Sequence, residues 1–142
     1  MCGVPGCGKS SIAARYRQLN KVVLSSDTLR GVIGQDENDQ SVSRDVFKFI
    51  FIAAKYLLAQ GHDVVIDATN WKRANRAEFW ALAGQIGAKR VAHVVKVPLD
   101  VAKARNDARA RKVPHDVIER MHNGFEMPTL DECDEVIITE NL

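Results

Sequence analysis

An eight-residue segment close to the N-terminus constrains this chain more than any other feature. Residues 3–10, GVPGCGKS, satisfy the pattern GxxxxGKS/T at every fixed position, and a helical stretch follows. In this pattern the glycines let backbone N–H groups turn around a phosphate, the lysine reaches the β- and γ-phosphate oxygens, and the hydroxyl can ligate Mg²⁺. A phosphate loop for ATP is therefore predicted, and a chance match or an ordinary glycine turn is the weaker alternative. The predicted nucleotide-binding residues are Gly3, Gly6, Cys7, Gly8, Lys9 and Ser10.

Short β-branched runs alternate with helical stretches along the rest of the chain. Buried strands are predicted at Val22–Leu24, Val64–Ile66, Val91–Val97 and Val136–Ile138. Helices are predicted at Ser10–Leu19, Asp45–Gln60, Arg73–Ile86, Asp100 to about Arg111, and Pro114 to about Gly124. The alternation predicts an α/β fold, a parallel sheet with helices on both faces, formed by residues 1–142 as a single domain. The polar segment Gly34–Val42 is predicted to be a loop on the substrate side or a mobile segment.

The strand that normally precedes a phosphate loop is short here, because only Met1 and Cys2 stand before Gly3. In folds with such a loop this strand is the central one. We therefore expect a truncated first strand. If the chain begins at Met1, the sheet needs a substitute strand, since parallel strands require neighbours on both sides.

Composition favours a folded protein without a membrane span. Hydrophobic residues make up 46% of the chain and charged residues 27%. The longest apolar stretch, Val46–Leu58, contains Lys48 and Lys55 and is shorter than the roughly 20 residues that a span requires. No secretory signal precedes the loop, so a cytoplasmic location is expected. The cysteines, which are odd in number and form no CxxC pair, are predicted to be free thiols, and no chemistry is assigned to the histidines.

The charges are unevenly distributed along the chain. From Lys72 to Lys112 eleven basic residues face three acidic ones, whereas from Val113 onward one basic residue faces eight acidic ones. A basic middle segment can bind a polyanion. Equally, its charges can balance the acidic tail after folding, and the sequence leaves both interpretations open.

A second set of polar residues, SSDTLR at residues 25–30, follows the predicted strand that ends near Leu24. Ser26 or Asp27 would cap a helix, and Arg30 would lie on the same helical face as Asp27. The structural interpretation is a capped helix with a local ion pair. In P-loop kinases, however, the end of the second strand faces the acceptor, where an aspartate can take the proton of an attacking hydroxyl. The position favours the catalytic interpretation.

A third set, RNDARARKVP at residues 105–114, places Arg105 and Arg109 four residues apart on one face of a predicted helix. The simpler interpretation is a solvated basic helix.

Together with the phosphate loop, SSDTLR, and DATN at residues 67–70, this segment makes the chain resemble the 5′-polynucleotide kinase family of phage and bacteria. The resemblance covers nearly the whole chain, and FEMP at residues 125–128 adds weaker support.

The resemblance implies an adenylate-kinase-like P-loop kinase that acts on the 5′-hydroxyl end of a nucleic acid with ATP and Mg²⁺. It implies that Asp27 is the general base for that hydroxyl and that Arg30 holds the neighbouring phosphate of the acceptor. Lys9 and Ser10 match the family's phosphate-binding and magnesium-binding positions. A phosphatase domain, which some relatives carry, is not expected.

The resemblance also implies a lid. Arg109 matches the lid arginine that neutralises the transferring phosphate, and Arg105 matches a nearby lid position. Asp67 either orients metal-bound water or is a structural acid at the end of a strand. Trp71 is a candidate for the acceptor groove, whereas Trp80 lies in an apolar helical stripe and is expected in the core.

Two other functions stay open at the level of the sequence. One is a P-loop kinase of a small molecule such as a nucleoside, sugar or antibiotic. The other is a nucleotide-binding module without turnover. The combination of Asp27, Arg30 and Arg109 argues against it, because binding alone would not require a base opposite the phosphate loop. The choice between DNA and RNA, the preference for ATP over GTP, and the oligomeric state are not encoded in these motifs.

Overall fold

The computed structural model describes residues 1–34 and 42–141. In chain order the elements are α1 (Lys9–Gln18), β1 (Val22–Ser25), α2 (Ser26–Gly34), α3 (Ser43–Ala59), β2 (Val64–Asp67), α4 (Arg73–Ile86), β3 (Val91–Lys96), α5 (Leu99–Asp107), α6 (His115–Asn123) and β4 (Glu135–Glu140). The chain forms two compact units. The first unit contains Met1–Lys9 and Thr69–Leu142, and the second contains Ser10–Ala68.

The second unit is built on a parallel pair of strands. β1 and β2 pair in register from Val22 opposite Val64 to Ser25 opposite Asp67. Helix α3 packs against β2 and α2. Its buried residues Val46, Ile50 and Ala54 recur every four positions, which is the spacing of one helical face.

The first unit contains the other parallel pair, β3 and β4, in register from Val91 opposite Glu135 to Lys96 opposite Glu140. On the other edge of β3, Cys2 forms a parallel bridge with Val94. The Cys2 amide donates to the His93 carbonyl at 2.8 Å, and the Cys2 carbonyl accepts from the Val95 amide at 2.9 Å. The short first strand expected from the sequence is thus a single bridge residue that leads directly into the phosphate loop.

The predicted strands and the α/β class with parallel strands are confirmed, and α4 has the predicted bounds. The predicted end of α5 at Arg111 is wrong, since α5 ends at Asp107. The buried Asn106 side chain donates to the Val113 carbonyl at 2.8 Å and accepts from the Val113 amide at 2.9 Å, which turns the chain back on itself. Of the predicted loop Gly34–Val42, Gly34 ends α2, and residues 35–41 lie outside the described part of the chain.

Much of the basic segment pairs with the acidic tail inside the first unit. The ion pairs are Lys72 with Glu126, Arg73 with Asp131, Arg76 with Glu132, Lys89 with Glu135, and Arg90 with Asp134. Between Lys72 and Arg90, charge balance is therefore the correct interpretation. Within residues 1–34 and 42–141, no helix combines the length and hydrophobicity needed to cross a bilayer.

Candidate active site

The phosphate loop depends on glycine at two positions. Gly6 and Gly8 have φ angles of +81° and +99°, in the left-handed region that residues with a Cβ rarely occupy. A Cβ on Gly6 would lie 2.2 Å from the Ala102 carbonyl oxygen of α5, and one on Gly8 would lie 2.1 Å from Nδ2 of Asn141. The backbone thus forms a tight turn that ends at the N-terminus of a helix, an arrangement suited to binding phosphate.

The Lys9 ammonium lies inside this turn. Its Nζ donates to the carbonyl oxygens of Gly3 at 2.8 Å and Val4 at 3.0 Å, and it lies 3.6 Å from Sγ of Cys7. The carbonyls hold the charge at the centre of the loop, where the oxygens of a bound triphosphate would compete for it. Cys7 itself is fully buried, so its side chain is part of the packing of the loop.

Two asparagines that the sequence analysis did not single out fix the loop. Nδ2 of Asn141 donates to the Cys7 carbonyl at 2.9 Å, directly after β4. Asn70 is buried with a φ of +44°, and its Nδ2 donates to the Met1 carbonyl at 2.8 Å. The amide of Gly3 donates to the Thr69 carbonyl at 2.9 Å. Asn70 belongs to the DATN motif, so its role in the sequence pattern is to hold the entry of the loop.

Arg105 and Arg109 do not share a helical face, which corrects the prediction. Arg105 is on α5, where Nη1 donates to the Asn141 carbonyl at 3.1 Å. Arg109 lies in the bend beyond α5, and its amide donates to the Asn106 carbonyl at 3.1 Å. The cause is the early end of α5 at Asp107, where the Asn106 side chain binds Val113. Arg105 is thereby linked through Asn141 to the phosphate loop, while Arg109 is carried by the turn that Asn106 closes.

The second unit carries the predicted acceptor residues on α2. Oγ of Ser25 accepts from the Thr28 amide at a long 3.4 Å, so the capping contact comes from Ser25 and not from Ser26 or Asp27. Asp27 is half-buried in the first turn. Arg30 is 9% exposed, and its Nη1 donates to Oγ of Ser43 at 2.6 Å. Because Ser25 provides the cap, capping alone does not explain an aspartate at position 27.

The predicted magnesium ligands supply oxygen atoms, which Mg²⁺ prefers. Ser10 is an exposed residue in the first turn of α1, and Asp67 ends β2 beside Ser25. No cluster of three or more His, Cys, Asp or Glu side chains suited to a metal occurs in the described chain.

A cavity of about 440 Å³ opens beside the start of the phosphate loop in the first unit. It is lined by Gly3, Val4, Val94–Pro98, His122, Phe125, Met127 and Glu140. The lining is mainly apolar, with aromatic and thioether side chains from the segment that follows α6. Trp71 packs beside this segment, since a Cβ on Gly124 would lie 3.0 Å from the Trp71 ring. Trp80 is half-buried.

Burial controls two titratable groups near the loop. It raises the pKa of the Cys2 thiol, which keeps that thiol protonated at neutral pH. It lowers the pKa of His93, whose Nε2 lies 2.8 Å from Oγ1 of Thr139 on the neighbouring strand. All three cysteines are free and buried. The predicted free thiols are therefore packing residues in this structure.

Comparison with known proteins gives a family and several relatives. A family model described as an AAA domain matches residues 1–128. L-seryl-tRNA(Sec) kinase of Methanococcus maripaludis is 24% identical over 135 residues, which cover 90% of this chain and 52% of that protein. The chain thus spans about half the length of this relative.

Solved structures share the fold. A kinase candidate from Chloroflexus aurantiacus superposes with a TM-score of 0.77 at 16% identity, covering 98% of this chain and 84% of the other. A chain of the Pnkp1/Rnl/Hen1 RNA repair complex gives 0.75 at 22% identity, covering 87% and 42%. Mycobacterium tuberculosis APS kinase CysC, solved with AMPPNP and APS, gives 0.62 at 19% identity, covering 96% and 84%. At these identities the likeness establishes the fold of P-loop kinases.

Proposed function

This chain belongs to the AAA domain family, and from that premise we propose that it transfers the γ-phosphate of ATP to the 5′-hydroxyl end of a polynucleotide. It has the fold of P-loop kinases, and its relatives are kinases, so it is a phosphotransferase with a hydroxyl acceptor. The polynucleotide acceptor is the part that we propose. The names of two similar proteins support it, one a tRNA kinase and the other an RNA repair complex.

One observation carries the choice of acceptor. Asp27 and Arg30 lie within one turn of α2, so the same short helical segment carries both a carboxylate and a guanidinium. A hydroxyl acceptor that also bears a phosphate would use both groups. The 5′-terminal nucleotide of a polynucleotide is such an acceptor, because its own 3′-phosphate lies one sugar away from the reacting hydroxyl.

We assign the following roles to the side chains. Asp27 takes the proton of the attacking hydroxyl, and Arg30 binds the neighbouring phosphate. Lys9 offsets the charge that grows on the β- and γ-phosphate oxygens during transfer, and Arg109 does so from the turn beyond α5. Arg105 supports the phosphate loop through Asn141, whose side chain donates to the Cys7 carbonyl.

Mg²⁺ would be held by Ser10 and Asp67. When bound, ATP supplies the phosphoryl group and Mg²⁺ neutralises part of its charge. We propose a cytoplasmic location, where ATP is available.

A transfer assay with radiolabelled ATP tests the proposal directly. The acceptors are single-stranded DNA and RNA oligonucleotides with a 5′-hydroxyl, the same oligonucleotides with a 5′-phosphate, and a panel of nucleosides, sugars and small alcohols. We expect label on the 5′-hydroxyl oligonucleotides and none on their 5′-phosphorylated counterparts. Transfer to small alcohols alone would refute the polynucleotide acceptor and keep the kinase.

Substitution of Asp27 by Asn separates its two interpretations. Asn keeps the size of the side chain, and the capping contact of α2 comes from Oγ of Ser25, so stability should be retained in either case. If Asp27 is the base, turnover should fall by about 10²- to 10⁴-fold. Nucleotide titration of the same variant is the control, because ATP affinity should change little. A variant that folds, binds ATP and transfers phosphate at an undiminished rate would end the assignment of Asp27 as base.

A second candidate function, a small-molecule kinase, is favoured by the cavity of about 440 Å³ beside Gly3 and Val4. This volume lies in the range of roughly 300–1,000 Å³ that is usual for small-molecule sites. Substituting Phe125 by Trp would fill part of it. If the cavity holds the acceptor, this variant should lose transfer to the small acceptor found in the panel and keep its ATP affinity.

A further inference from the structure

Helix α3 has a second apolar face that the fold of its own unit leaves exposed. Phe49, Ile52 and Tyr56 are 52%, 58% and 65% exposed. Their spacing of three and four residues places them in one stripe along the helix. The buried residues Val46, Ile50 and Ala54 lie on the other side. The stripe is therefore not the core face of α3, and its exposure requires an explanation outside the packing of the unit.

A row of basic side chains runs beside this stripe. Arg44, Lys48 and Lys55 are all exposed. At 3.6 residues per turn, they occupy an adjacent strip of the helix surface, next to Ile52. None of the three forms an ion pair within the described parts of the chain, 1–34 and 42–141. We call the two strips together the α3 face, which comprises Arg44, Lys48, Phe49, Ile52, Lys55 and Tyr56. The exposed Asp45 lies at the N-terminal end of the apolar strip, one turn before Phe49, so the face carries three basic residues and one acidic residue.

The α3 face begins beside the proposed acceptor residues. Ser43, the first residue of α3, accepts the 2.6 Å hydrogen bond from Arg30. Arg44 follows it directly in the chain. From Arg44 to Tyr56 the helix extends about 18 Å at 1.5 Å per residue. A chain held at Arg30 could therefore continue along this face for several nucleotides.

We propose that the α3 face binds single-stranded nucleic acid beyond the 5′-terminal nucleotide, an inference that rests on the proposed function. Arg44, Lys48 and Lys55 bind successive phosphates, and Phe49 and Tyr56 stack on bases. Basic residues that track the backbone beside aromatic platforms are the common design of sites for single strands. The separation of basic and aromatic residues into parallel strips matches the separation of phosphates and bases in the ligand.

The test uses the full chain and a fluorescent 5′-hydroxyl oligonucleotide of about a dozen nucleotides, with binding followed by anisotropy without ATP. The Phe49→Ala/Tyr56→Ala variant should bind at least about fivefold more weakly, the lower end of the range for loss of one stacking contact. The Lys48→Ala/Lys55→Ala variant should lower the slope of log affinity against log salt by about 1.4, since each phosphate contact on a single strand contributes about 0.7. Matched controls are Arg17→Ala and Leu19→Ala, which alter an exposed basic and an exposed apolar residue elsewhere in the unit and should bind like the wild type.

Transfer assays separate this inference from the proposed function. With a dinucleotide acceptor, both double variants should retain wild-type transfer, and with the long acceptor KM should rise while kcat changes little. Unchanged binding of the long oligonucleotide would overturn the inference and leave the proposed function intact. Two other results would also overturn the inference. If a double variant changes only the sedimentation coefficient, the face binds a second copy of the chain. If it loses only the binding to anionic vesicles, the face binds a membrane. Failure of transfer to every 5′-hydroxyl acceptor would refute the proposed function, while the anisotropy result would still decide whether the face binds nucleic acid.

Discussion

The buried ion pair between Arg76 and Glu132 gives the sharpest test of how the first unit is held together. The two side chains are 2% and 4% exposed. Nε of Arg76 donates to Oε1 of Glu132 at 2.7 Å, and Nη2 donates to Oε2 at 3.3 Å. Nη1 donates to the Asn70 carbonyl at 2.8 Å. The pair thus joins α4 to the acidic tail and to the turn that holds the entry of the phosphate loop.

Substitution of Arg76 by Met should destabilise the protein strongly. Met fills a similar volume but leaves the buried Glu132 carboxylate with only the long 3.5 Å contacts to Nε of Arg73 and Nε1 of Trp80. Removing one partner of a buried ion pair typically costs about 3–5 kcal/mol. Total stabilities of about 5–15 kcal/mol are usual, so a large share would be lost. At roughly 3–4 °C per kcal/mol for a chain of this size, the melting temperature should fall by about 10–20 °C.

Urea and thermal denaturation of three variants and the wild type complete the test. Replacing both partners, as Arg76→Met/Glu132→Leu, should recover most of the lost stability, since an apolar pair of similar volume is often neutral or stabilising in place of a buried ion pair. The Lys89→Met control removes an exposed ion pair to Glu135 that does not involve Glu132, and it should change the stability little. A loss below about 1 kcal/mol for Arg76→Met would refute the argument, because it would mean that the carboxylate is solvated.

Three further predictions concern the loop and the charges. Gly8→Ala should abolish nucleotide binding in a titration, because a Cβ there meets Asn141 at 2.1 Å and the φ of +99° is strained. Lys9→Ala should abolish transfer while circular dichroism shows an intact fold; wild-type turnover would contradict the loop assignment. Hydrogen bonding to Arg73 lowers the pKa of Asp131 from 3.8 to about 2. The stabilising effect of the ionised Asp131 carboxylate should be present above about pH 4 and lost toward pH 2. In a plot of melting temperature against pH, the Arg73→Met variant should show a smaller change over this range.

Local patterns in the sequence predicted most of the fold. The phosphate loop is a contiguous motif, and its neighbouring helix and the β-branched strands carry their signals within a few residues of one another. The prediction of where α5 ends was wrong, because the end depends on Asn106 binding Val113, seven residues away, across a turn with no helical periodicity. A helix-forming run continues past Asp107 in the sequence, so propensity favoured extension and a side-chain contact stopped it.

The contacts that hold the candidate site could not be predicted from local sequence patterns, because they join residues that are far apart in the chain. Asn141 reaches Cys7 across 134 residues of chain, and nothing in the residues around it indicates that contact. Asn70 lay within a quoted motif, and an asparagine after a strand is compatible with a positive φ. Its partner, the Met1 carbonyl, is visible only in the structure. Motif residues were therefore found, whereas the residues that position them were not.

The distribution of charge changes the argument for a polyanionic acceptor. The basic middle segment is compatible with a polyanionic ligand, yet its first half is neutralised within the first unit by the acidic tail. Positive charge available to a ligand must therefore come from residues outside Lys72–Arg90. On α3, Arg44, Lys48 and Lys55 are exposed, although they lie in or next to the longest apolar stretch of the chain. An interface for nucleic acid is thus better sought on α3 than in the neutralised stretch from Lys72 to Arg90.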